Sequence, residues 1–148
     1  MKIIYENEEG GVSIITPIIN DEVGLTIEEI AAKDVPEDTP FEIVEDDVIP
    51  TERTFRNAWV KDGEKVSVDM PKARVIRMDC IRLVRNKELD DSDKEIVRAV
   101  EDEIDLTPLK TKRQELRDIP QDFDLSVFTT PQALKNAWPV NLKKENSL

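Results

Sequence analysis

Apolar residues cluster in two short β-type runs at the start of the chain, residues 2–7 (KIIYEN) and 12–18 (VSIITPI), between polar stretches. Between them lies Glu8-Glu9-Gly10-Gly11, where Gly-Gly supplies the positive φ angles of a tight turn, so the opening predicts a β-hairpin. Thr26 then stands as a cap before Glu28 and Glu29, with Ile27, Ile30 and Ala31 on one side of a short helix that Pro36 ends. Residues 41–44 (FEIV) read as a third strand with Phe41 and Ile43 on one face. Residues 54–60 (TFRNAWV) and 65–68 (KVSV) flank Asp62-Gly63, a strong hairpin signal. As strand, 53–60 would align Phe55, Asn57 and Trp59; as helix, it would align Phe55, Ala58 and Trp59. The pattern leaves both open.

From Asp69 the period changes to 3.6. Asp69 caps a helix with Pro71 near its first position, and Ala73, Ile76, Cys80, Leu83 and Val84 form one apolar stripe. Ser92 and Glu95 have the spacing of a capping box for a second helix carrying Ile96, Val97, Val100 and Ile104. An antiparallel helical hairpin turning at residues 88–91 follows. Thr107-Pro108 starts a third helix that runs through Leu116 and stops before Pro120. Phe123, Leu125, Val127 and Phe128 are apolar without a period, which suggests a segment draped over a surface. Thr130-Pro131 caps a last short helix (QALKNAW) ended by Pro139, and the polar residues 141–148 are expected to fray. The expected architecture is α+β. A small N-terminal antiparallel β region of hairpins plus a short helix (1–68) precedes a C-terminal helical hairpin with short helices (69–140) and a flexible tail (141–148).

Charge sharpens this picture. The chain of 148 residues has 33 acids, 21 bases and a net charge of −12, which opposes bulk nucleic-acid binding. The charges are segregated: residues 1–52 carry −13, 53–87 carry +6, 88–106 carry −7 and 107–148 carry +2. The acids of the second predicted helix complement the basic helix before it. No apolar run approaches a transmembrane span, and no basic start leads into an apolar leader, so the expectation is a cytosolic protein with no membrane partner.

Composition also narrows the chemistry. Without histidine there is no Ser-His or Cys-His pair, and the common zinc ligand sets fall away. Cys80, the lone cysteine, sits in a helical pattern and reads as a small core residue. No glycine-rich phosphate loop is present. Glu45-Asp46-Asp47 lacks the spaced loop of a calcium site and reads as a solvated turn. Carboxylate pairs such as Asp46/Asp47 and Asp90/Asp91 are expected by chance among so many acids. The expectation is a protein that is no enzyme, with no cofactor and no metal. Arg74, Arg77 and Arg85 offer a cationic surface for an acidic protein or for phosphates, or a solvated face balanced by the acidic helix.

Taken together, RTFRNAW (53–59), VDMPKAR (68–74), the arginines after it, LRDIP (116–120) and TPQALKNAWP (130–139) resemble a group of small tailed-phage proteins. The helical part with LRDIP is similar to the C-terminal half of phage tail fibre assembly proteins. The likeness covers residues 50–140 and departs after Arg85, where NKELDDSDKEIV replaces the usual Arg-x-Pro-x-Leu and Leu-Asp segment. It implies a chaperone or fibre-associated factor binding a tail fibre or a neighbouring tail protein, in the host cytoplasm during assembly. A structural component of the tail or baseplate within the virion is the alternative, and a regulatory protein binding a host factor through the arginine helix is a third. In this reading Phe55 and Trp59 are partner anchors, joined by Arg74, Arg77 and Arg85; otherwise Trp59 is an ordinary core residue. Trp138 is expected to hold the C-terminal helix to the hairpin.

Overall fold

The computed structural model describes residues 1–18 and 24–144. Two compact units make up the chain, Met1–Ala73 and Arg74–Leu148. The protein is α+β, with small antiparallel sheets in the first unit and long helices in the second.

The first unit is built on β1 (Lys2–Glu6), which pairs antiparallel with β2 (Val12–Ile15) on one side and β3 (Phe41–Val44) on the other. Neighbouring side chains on a strand point to opposite faces. Ile3 and Ile4 therefore face opposite ways, yet both are fully buried. Ile3 meets α1 (Ile27–Asp34) through Ile30, Ala31 and Val35, with Ile15 and Ile43 beside it. Ile4 lies in a second cluster with Val12, Val44, Ile49, Trp59 and Val66. The apolar pair in the opening strand is what lets one small sheet carry two cores.

Local chemistry sets the ends of these elements. Thr26 caps α1 in a full capping box with Glu29: the Glu29 N–H donates to Thr26 Oγ1 at 3.2 Å and the Thr26 N–H donates to Glu29 Oε2 at 2.8 Å. In the first hairpin only Gly10 takes a positive φ (+71°); Asn7 closes the turn instead, its Oδ1 accepting from the N–H groups of Glu9 and Gly11. The β2 strand stops at Ile15, short of the expected Ile18. Residues 53–60 are neither one strand nor one helix. A 3-10 turn at Arg56–Ala58 leads into β4 (Trp59–Asp62), which pairs with β5 (Lys65–Val68) across Gly63 at φ +60°.

The second unit departs most from the expected pattern. α2 runs unbroken over Met70–Glu101, 32 residues, so no hairpin turns at 88–91 and Ser92 caps nothing. Beyond Pro71 in the first turn, residues 72–101 hold neither glycine nor proline to stop the helix. Ser92 Oγ donates to the Leu89 carbonyl at 2.7 Å, the back-bond a mid-helix serine makes when buried. Crowded acids are offset locally: Lys94 pairs with Asp91, and Arg113 with Asp93. The hairpin lies one element later, between α2 and α3 (Thr107–Asp122), where Lys112 also reaches Glu95 at 3.9 Å.

The stripe that α2 buries also differs. Ala73, Ile81 and Val84 are buried and Arg77 joins them at 5% exposure, whereas Leu83 is 64% exposed and Cys80 only half-buried. α3 passes through Pro120 to Asp122 instead of ending before it. Burial of Leu116 and Ile119 on one face holds the turn through the ring, and the Phe123 N–H donates to the Ile119 carbonyl to close it. Thr130 caps α4 (Pro131–Asn136) as expected, its Oγ1 accepting from the Ala133 N–H. Residues 141–144 of the expected tail are anchored: Leu142 is buried and the Lys143 N–H donates to Glu88 Oε1 at 2.8 Å. The remainder of that tail, 145–148, lies outside the described residues.

The turn closing α2 carries strain that can be removed. The Ile104 N–H donates to Ala99 O at 2.8 Å and the Glu103 N–H to Val100 O at 3.3 Å, a Schellman cap with Glu103 at φ +54°. That left-handed position disfavours any residue with a Cβ. Glu103→Gly is expected to raise unfolding stability by about 0.5–1 kcal/mol, measured by urea denaturation; a loss of stability would contradict the cap.

Candidate partner-binding surface

Phe55 and Trp59 are 2% and 1% exposed. Ala58, at 0%, completes their buried face, the set that helical geometry for 53–60 would align. Among the described residues the Trp59 indole N–H meets no acceptor, and the ring is held by packing and by the Arg56 guanidinium 5.2 Å from its centre. Both rings are closed to a partner in the folded chain.

The three arginines along α2 divide differently from the even spread that the sequence suggests. Arg74 turns onto the backbone of the draped segment. Its Nε donates to Leu125 O at 3.2 Å and its Nη2 to Phe128 O at 3.2 Å and Ser126 O at 3.5 Å. This pins a stretch whose Phe123 and Phe128 rings meet at a tilt of 39°, their centres 6.2 Å apart. Arg77 donates from Nε to Ala137 O at 3.0 Å, and its guanidinium sits 4.9 Å from the Trp138 ring centre. Burial pushes the Arg77 guanidinium below its ordinary range, while Cys80 acts in the opposite direction. Trp138 in turn donates its indole N–H to Leu142 O at 3.1 Å. Arg74 and Arg77 are thus internal staples of the second unit. Arg85 is half-buried and donates from Nε and Nη2 to Asn86 Oδ1. Any phosphate-binding role for this helix would keep one of its three proposed contacts.

The surface that α2 turns outward is apolar at four points. Val75, Leu83, Val97 and Val100 are 59%, 64%, 57% and 58% exposed. Their spacings put all four within about 100° of arc at 3.6 residues per turn, on the side opposite Ala73, Arg77, Ile81 and Val84. Leu83 and Val97 stand about 21 Å apart along the helix axis, at 1.5 Å per residue. Between and around them lie Asp79, Arg82, Asn86, Asp90 and Asp93, with Asp79 and Arg82 paired at 3.0 Å. Sequence periodicity placed Leu83 in the core and Val97 and Val100 on a separate helix. The small residues Ala73, Ser92 and Ala99, all buried, are the signal that marks the true inner face.

Among the described residues no group of three or more potential metal ligands comes together, and no helix is long and apolar enough to cross a membrane. Two aspartates are held below the usual carboxylate range: Asp105 by hydrogen bonds from Thr107, and Asp124 by hydrogen bonds from Ser126. Both are local turns at the surface. No protein-family model, curated protein or solved structure matches the chain.

Proposed function

We propose that the chain is a non-enzymatic phage protein of tail-fibre assembly, a chaperone or fibre-associated factor that binds a fibre or neighbouring tail protein along the outer face of α2. The observation that carries this reading is the row of four exposed aliphatic side chains on one side of a single rigid helix. Isolated exposed apolar residues are ordinary on a protein surface. Four within one arc of a 32-residue helix present anchor points at helical spacing, the arrangement by which helices and grooves recognise each other. The phage assignment rests on the likeness of residues 50–140 to small tailed-phage proteins.

Partner affinity then comes from the aliphatic anchors, with the polar residues between them setting register. Co-expression with the tail fibre gene of the same phage tests this. The expected result is more soluble, trimeric fibre in the presence of this protein. Equal yields with and without it would count against a role in fibre assembly.

A further inference from the structure

Packing and capping explain most residues of the two stretches RTFRNAW and VDMPKAR. Phe55, Ala58 and Trp59 fill a core, Asp69 caps α2 by accepting from the Lys72 N–H at 3.0 Å, and Ala73 is buried. Several exposed polar residues remain unexplained, three of them Arg56, Asn57 and Lys72. All three line one cleft of the first unit, of about 230 Å³, together with Asn7, Ser13 and Glu9 from the opening hairpin.

The cleft combines charge with fixed hydrogen-bond groups. Arg56 and Lys72 appear in no ion pair among the described residues. Their two charges outweigh the single carboxylate of Glu9, in a segment that is otherwise strongly acidic. The Arg56 guanidinium lies 5.2 Å from the centre of the Trp59 ring, and that ring is locked in the core. A cation held this way loses less freedom on binding than a lysine reaching freely into solvent. Asn7 is oriented too, because its Oδ1 accepts from Glu9 and Gly11, leaving its NH₂ group as a donor. Ser13 adds a hydroxyl and Asn57 a second amide.

We infer that this cleft binds an oxyanion, a carboxylate or phosphate group, through Arg56 and Lys72 with the Asn7, Ser13 and Asn57 side chains as neutral donors. A fork-shaped guanidinium beside an ammonium matches two oxygens of such a group. The bulk negative charge of the chain disfavours a polyanion such as a nucleic acid, so the ligand is a single charged group. This site stands independently of the tail-fibre reading.

Titration of the ¹⁵N-labelled full chain with sodium phosphate, and in parallel with N-acetylglutamate, tests it against sodium chloride at matched ionic strength. Saturable shifts of the Asn7 and Asn57 side-chain amides and of the Trp59 indole N–H are expected in at least one arm. Tighter binding of phosphate would identify a phosphorylated ligand, and tighter binding of N-acetylglutamate an acidic side chain. Arg56→Gln and Lys72→Gln are each expected to weaken binding about tenfold, the loss of one charge-assisted hydrogen bond. Arg82→Gln, which removes an exposed charge on α2, is expected to leave it unchanged. All three positions are exposed, so the variants keep their fold. Linear shifts equal to those from chloride in both arms, or affinities unchanged in both Gln variants, would overturn the assignment.

Discussion

Trp59→Ala is expected to lower the stability of the first unit by about 3–5 kcal/mol, the range for truncating a fully buried aromatic. The ring is 1% exposed and packs with Ile4, Val12, Val44, Ile49 and Val66, so it joins the sheet to the β4–β5 hairpin. Its N–H has no acceptor among the described residues, so the loss of packing dominates the effect. Trp59→Phe keeps part of the contact and is expected to cost less than half as much. Hydrogen exchange measures both: amides of β1, β2 and β3 should lose protection in Trp59→Ala. A change in stability below about 1 kcal/mol would mean that the ring is not a core element.

The second large effect lies in the other unit. Arg77→Ala is expected to destabilise it by about 2–4 kcal/mol, because truncation opens a cavity and leaves the Ala137 carbonyl without its donor. The side chain is 5% exposed, bonds a carbonyl and lies against Trp138, with no carboxylate paired to it among the described residues. Removing a buried cation also removes its desolvation penalty. Arg77→Met, which refills the volume without charge, should therefore recover part of the loss, about 1 kcal/mol or more. Trp138 reports directly, since its fluorescence should change in Arg77→Ala as residues 137–143 detach. Equal stabilities for the Ala variant and the natural chain in urea would refute the staple.

Much of the first unit was legible because its signals are local. The Thr26 capping box, Gly63 in its two-residue turn and the alternation in β3 each act over a few residues. The second unit was harder to read, for three physical reasons. The Ser92-Glu95 spacing has the form of a cap, but a serine back-bonding to Leu89 is equally at home inside a helix. Arginine is ordinarily counted as surface, so Arg77 on the inner face went unread. The middle of the expected stripe fell one position early, on Ile76 and Cys80 instead of Arg77 and Ile81, and took in Leu83 beside Val84. Pro120 signals an end by its chemistry, while the burial of Leu116 and Ile119 carries α3 past it. The candidate site shifted for the same reason. Phe55 and Trp59 proved to be buried and Arg74 and Arg77 to be bonded within the second unit, and the outward aliphatic row on α2 emerged only once the helix was continuous.

Partner binding through that row is decided by a pull-down of the co-expressed tail fibre protein. The probe is the double variant Leu83→Glu/Val97→Glu. Both positions are more than half exposed, so folding stability should stay within about 0.5 kcal/mol of the natural chain. The natural chain is expected to retain the fibre protein and the double variant to release it. Retention of the fibre protein by a folded double variant, at the level of the natural chain, would contradict it.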